Sequence, residues 1–347
     1  MVFYFVKNKV NVVVDKRAEL IGILLQLSKY REERPEHCKY AKNNPDYMER
    51  IKKHFVIGKL KEHKIISVLN EAIKDGFCYH VPIQLACMLN DDYSLNISKY
   101  SKAEKIFQEK TGGIEKAKEL TKKIQDFATK SDFEKFYNMD ENQLFYQKNI
   151  NNQNELLGKT DVVKDIKDYY GVNNDATVYI LNILLSQPGG GGYGYQIGDS
   201  VYCSTSSDGN VTRNEKPNLN FIQHLFHEFS HPVINPLTEK YNNKVQQMQL
   251  KHLPAYGNLC AQISEYMVRA ATHRFCANNG IDDEWSMSSS RKYGFDRIDD
   301  FENLFINYEN NRGKYPSIID CYPKMMKSMF QIMSKPNETK EQDLPKV

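Results

Sequence analysis

Residues 227–231 read His-Glu-Phe-Ser-His, and the spacing of this run ties its chemistry to one backbone geometry. On an α-helix two histidines four apart project from one face, one turn apart, so two ring nitrogens can converge on a single metal ion. Glu228 lies beside that point, where a carboxylate can take the proton of a water as the water attacks a carbonyl. The pattern therefore predicts metal-assisted hydrolysis.

The flanks support a helix. Capping-type asparagines open the stretch at Asn218 and Asn220, and Phe221, Ile222, Leu225, Phe226 and Phe229 recur at helical spacing. No His-rich tract surrounds the histidines, so adventitious metal binding is not the natural reading. The bland alternative is an accidental match on an amphipathic helix of an interaction protein. Pro232 follows His231 directly, and proline disfavours both its own place deep in a helix and an α conformation before it. The helix is expected to end or bend at His231, with Pro236 marking an exit into a loop.

A zinc site needs a third protein ligand, and the sequence narrows the choice. The extended metzincin pattern would place glycine at 234 and histidine at 237, where this chain has Ile234 and Leu237. No aspartate occurs between His231 and Asp282, which leaves Glu239, Glu265, Glu284, His252 and His273. Glu265 stands out because Ala255 to Asn278 reads as a helix with Leu259, Ile263, Met267 and Ala270 on a buried stripe, ended by Asn279 and Gly280. A second helix packed on the first can deliver its carboxylate. Glu239 ranks second, since it has to fold back through the turn at Pro236. Arg269, one turn beyond Glu265, either pairs with that carboxylate or with an acid behind it and fixes its orientation, or is a solvated or ion-paired helix residue.

The run His227 to His231, followed on a later helix by Glu265 in Ser264-Glu265-Tyr266-Met267-Val268-Arg269-Ala270, resembles the gluzincin class of zinc metallopeptidases, whose best-known fold is thermolysin-like. The resemblance covers these two helices and the strand before them. It implies that His227, His231 and Glu265 hold one catalytic zinc ion and that Glu228 is the general base. Pro232 and the residues around Glu265 depart from the commonest gluzincin pattern. Over its whole length the chain looks closest to bacterial proteins with a zincin-like C-terminal half, a likeness that carries no substrate.

Upstream, Thr177 to Leu185 and Tyr195 to Thr205 read as two strands separated by Pro188 and the four glycines Gly189 to Gly192. In zincin-like enzymes an edge strand beside the metal binds extended substrate through its main chain, and Gly194 to Gly198 is the candidate here. No Lys-Ser or Lys-Thr follows the glycines, so a phosphate cradle is rejected. A flap at a cleft mouth or a plain hairpin connection remains. Candidates for an oxyanion donor are Tyr256, His273 and Tyr293. Tyr293 is favoured because its segment is non-helical and contains glycine.

Net charge is +3, from 47 basic and 44 acidic residues, and the charges are mixed along helices such as 102–123. That argues for solvated faces rather than a nucleic-acid or membrane surface, while the gluzincin resemblance implies a peptide or protein substrate, with the oligomeric state open. Seven scattered cysteines without a Cys-x-x-Cys pair suggest neither a disulfide framework nor a zinc knuckle. No run of 18 apolar residues and no signal peptide are visible. As it stands the chain reads as cytoplasmic, or exported if a leader has been removed.

The expected architecture is α+β, predominantly helical, with a small sheet beside the motif helix. Region 1–150 opens with a hairpin, Val2 to Val6 and Val10 to Val14, then a helix from Ala18 to Tyr30 and helices near 46–75, 81–90, 101–129 and 131–148, the third divided at Thr111-Gly112-Gly113. The Asn-rich stretch Lys148 to Asn154 is the expected boundary. The zincin-like region 151–334 follows, with a short helix at Asp161 to Tyr170 and closing helices at 298–310 and 316–333. A loose tail, 335–347, ends the chain. The leading expectation is a zinc endopeptidase; the alternatives are an inactive zincin-like scaffold, which would not need Glu228, and a zinc amidase for a small non-peptide amide.

Overall fold

A computed structural model describes residues 10–38, 44–56, 59–173, 177–206, 219–248, 253, 258–281 and 284–333. The fold is predominantly helical α+β with one four-stranded mixed sheet. The described residues form two compact units, Met1–Ile166 with Asn174–Phe229, and Lys167–Asn173 with Ser230–Val347.

The first unit holds the sheet, in the order β1-β2-β4-β3. Strand β1 (Val10–Val13) runs parallel to β2 (Val178–Leu184), which runs parallel to β4 (Ser200–Ser206). Strand β3 (Gly192–Ile197) is antiparallel to β4 and lies at the edge. The expected single strand from Tyr195 to Thr205 is thus a hairpin. Ile197 pairs with Ser200 across Gly198-Asp199, and Gly198 takes the left-handed φ of +58° that such a two-residue turn requires. The other half of the expected N-terminal hairpin, Val2 to Val6, lies outside the described residues.

Helix Lys16–Leu27 packs beneath the sheet, buried on nearly every side, with Asp15 capping it through a bond from Arg17 N at 2.8 Å. The stretch expected as one helix at 46–75 is several shorter pieces, Pro45–Ile51, Lys52–Val56, Lys59–Glu62 and Lys64–Lys74. Gly112 and Gly113, both at positive φ, do separate Lys105–Lys110 from Gly113–Lys130. The Asn-rich stretch is not a boundary but part of helix Asp140–Leu157. Tyr146, Gln153 and Leu157 are buried at helical spacing there, and that packing overrides the weak helix preference of asparagine. The sheet then draws residues 177–206 into the same unit as the N-terminal helices, because β2 pairs with β1.

In the second unit helix Leu259–Asn278 packs on Ile298–Glu309, with Tyr266 stacked on Phe301 at 4.5 Å and edge-on to Phe295 at 4.7 Å. Ile318–Met333 packs on Ile298–Glu309 in turn.

The motif helix spans Leu219–Glu239 and runs through both Pro232 and Pro236, so of the expected end or bend at His231 the end does not occur, nor does the exit into a loop at Pro236. Each internal proline costs roughly 3 kcal/mol. Leu225, Phe226, Phe229, Ile234 and Leu237 are buried along this helix, at about 2 kcal/mol each. The turns beyond His231 are kept all the same, with Ile234, Leu237 and Thr238 buried on them.

Candidate metal centre

His227 and His231 project from one face of the motif helix, both partly buried, and Glu265 comes from the buried interior of helix Leu259–Asn278. One ligand atom from each of the three lies within 4.8 Å of the others, and this is the one such His/Cys/Asp/Glu group found among the described residues. His231 Nε2 is 3.6 Å from Glu265 Oε2. Two ligands about 2.0–2.1 Å from a tetrahedral zinc ion stand about 3.4 Å apart, so the pair already has the separation a shared ion requires. Two imidazoles and one carboxylate also make the donor set of a hydrolytic zinc site.

Partners around the group fix its orientation. Glu265 Oε1 accepts from Arg269 Nε at 2.7 Å, one of the pairings that their one-turn spacing left open. Nδ1 of His231 lies 3.3 Å from Oδ1 of Asn235, one turn further on. With Nδ1–H donating there, the Nε2 lone pair is turned toward Glu265. Asn235 escaped the sequence reading because the helix was expected to end or bend at His231, before it is reached.

Glu228 is buried, 6% exposed, and its surroundings in the first unit are tight. Its Oε1 lies 4.0 Å from Nδ1 of His224, whose Nε2 is 3.2 Å from Thr205 Oγ1 on β4. Burial pushes the His224 pKa down to about 4, so this ring is neutral near pH 7. Strand β3 presses on the same place. A Cβ on Gly192 would meet the His224 ring at 2.2 Å and Glu228 Oε1 at 2.7 Å, and one on Gly194 would meet the Glu228 carbonyl oxygen at 1.8 Å. His224 was also missed, although its place one turn before Glu228 was a readable signal.

The remaining candidates separate from the group. Glu239 is exposed at the end of the motif helix, and His273 pairs with Glu302 at 3.0 Å. His252 and Tyr256 lie outside the described residues, as does the side chain of Glu284. Tyr293 follows helix Glu284–Lys292 and is 48% exposed, with its ring 5.8 Å from the Arg269 guanidinium. It stands beside the partner of Glu265 rather than in the group of three. All seven cysteines are free thiols, and no helix among the described residues is long and apolar enough to cross a membrane.

No curated protein and no solved structure matches the chain. Residues 10–328, most of its length, match the family described as "Domain of unknown function (DUF4932)", and the protein belongs to that family.

Proposed function

We propose that the protein is a zinc-dependent metallopeptidase of the gluzincin kind, cleaving peptide bonds within a chain. The observation that carries this reading is the convergence of His227, His231 and Glu265 on one point, with the carboxylate of Glu228 next to the first ligand in the motif helix. Zinc held there would polarise a water and the carbonyl that it attacks. Glu228 takes the proton released by the attacking water onto its carboxylate and returns it to the amide nitrogen as the C–N bond breaks. Its buried position against Gly192 and His224 keeps that carboxylate in one place through both transfers.

Strand β3 serves as the substrate strand in this reading. It is an edge strand, so one row of its main-chain groups is directed away from β4, and an extended peptide can add to it by main-chain hydrogen bonds. Strand addition recognises backbone, which favours peptides over small amides. Tyr293, whose ring lies 5.8 Å from the Arg269 guanidinium, is the proposed donor to the oxyanion.

Two measurements test the reading. Purified protein is expected to carry about one zinc per chain, and His227→Ala to lose it. Digestion of an unbiased peptide library is expected from the wild type and not from Glu228→Gln, which keeps its zinc. Cleavage by both proteins, or by neither, removes the peptidase assignment.

A further inference from the structure

The two oxygens of Glu265 have different neighbours. Oε1 accepts from Arg269 Nε at 2.7 Å, while Oε2 faces His231 Nε2 at 3.6 Å. Arg269 is itself held from several sides. Its Nη1 donates to Ser290 Oγ at 3.3 Å, and the guanidinium carbon lies 4.6 Å from the centre of the Phe295 ring and 5.8 Å from that of Tyr293. Ser290 and Phe295 are buried, so the residues that brace the guanidinium are fixed by packing. A planar cation held over a ring and bonded at two nitrogens has little freedom to leave Oε1.

We infer that Arg269 is a positioning residue of the metal centre: by occupying Oε1 it confines Glu265 to ligation through Oε2 alone. This rests on the zinc reading above and specifies how one ligand meets the ion. A carboxylate that binds through both oxygens uses a further coordination position, one that water or a substrate carbonyl needs. Arginine suits the task better than lysine because its fork bonds Oε1 and Ser290 Oγ together, whereas an ammonium is a single point of charge.

Cobalt(II) added to zinc-free protein provides the readout, since its visible absorption per ion is strong in four-coordinate sites and weak at higher coordination numbers. The wild type is expected to give the strong spectrum. Arg269→Met, which releases Oε1, is expected to bind cobalt with its visible absorption reduced severalfold, and Arg269→Lys to recover most of that loss. A wild-type spectrum in Arg269→Met overturns the inference while leaving the zinc site standing. Failure of the wild type to bind either metal overturns both. A second measurement needs no variant and covers the case in which Arg269→Met does not fold. In the infrared difference between zinc-loaded and zinc-free wild type, one-oxygen ligation gives a wide separation between the two carboxylate stretches, and a narrow separation overturns the inference.

Discussion

Gly194 stands against the backbone of Glu228 so closely that a Cβ built on it would lie 1.8 Å from the Glu228 carbonyl oxygen and 2.6 Å from its carbon. In a regular helix that oxygen accepts from the N–H four residues on, and here residue 232 is a proline, which has none. The missing amide at 232 and the missing side chain at 194 therefore concern the same atom. They let strand β3 approach the backbone of the proposed general base at a point where an ordinary helix and strand would be held apart by side chains.

Gly192→Ala and Gly194→Ala are expected to fail in different ways. At 194 the obstacle is backbone, so the strand or the helix has to shift, and the variant should lose about 2–4 kcal/mol of stability. At 192 the obstacles are the ends of the His224 and Glu228 side chains, which can turn aside. Gly192→Ala should lose only about 1 kcal/mol, but it displaces the Glu228 carboxylate, so turnover should fall by at least about tenfold with zinc retained. Urea unfolding and peptide turnover on both variants check this. Wild-type stability in Gly194→Ala would show that the contact is loose.

The parts of this arrangement that the sequence revealed are those encoded by local periodicity. The motif helix was legible from Phe221, Leu225, Phe226 and Phe229, and the Glu265 helix from Leu259, Ile263 and Met267, because helical burial repeats within one or two turns. The parallel pairing of β1 with β2 was not, since it joins Val10 to Tyr179 across the whole run of N-terminal helices and leaves no local trace. The turn at Gly198-Asp199 was overlooked inside a run of strand-forming residues, although a Gly-Asp pair between two such runs is a hairpin signal. Pro232 misled for an energetic reason. Its local cost is real, but Ile234, Leu237 and Thr238 are buried on the turns beyond it, and that burial belongs to tertiary structure.

Asn235 became visible only once the helix continued past Pro232. Its Oδ1 lies 3.3 Å from Nδ1 of His231, and groups that fix the tautomer of a ligating histidine typically contribute 10–100-fold to metal affinity. Asn235→Ala is expected to weaken zinc binding by about that factor while the fold is kept, and Asn235→Asp to restore it. Competition against a zinc-sensitive dye measures both. Unchanged affinity in Asn235→Ala would leave the orientation of His231 to other contacts.

Zinc should also stabilise the fold, because His231 and Glu265 come from different helices and an ion joins them only in the folded chain. With free zinc a thousandfold above its dissociation constant, the expected gain is about 4 kcal/mol. Chelation should abolish it, and His231→Ala should show almost none. Thermal unfolding with and without a chelator reads this directly, and equal shifts in the wild type and His231→Ala would place the bound zinc elsewhere.

Glu19 ties the central helix to the chain that leads into the glycines. Its Oε1 accepts from Leu185 N at 2.8 Å and Ser186 N at 3.3 Å, and its Oε2 from Tyr47 Oη at 2.8 Å. Burial nevertheless outweighs these donors and raises its pKa from 4.5 to about 7. The folded state therefore holds a proton that the unfolded chain releases between those values. The contribution to stability is fully present below pH 4.5, declines as pH rises toward 7 and is then gone, a change of about 3 kcal/mol. Glu19→Gln cannot titrate, so the stability of the wild type relative to this variant should fall by about that amount between pH 4.5 and 8. Urea unfolding of zinc-free protein across the range isolates the effect from loss of metal in acid. A difference that stays level or grows with pH would mean that the Leu185, Ser186 and Tyr47 donors, and not burial, govern this carboxyl group.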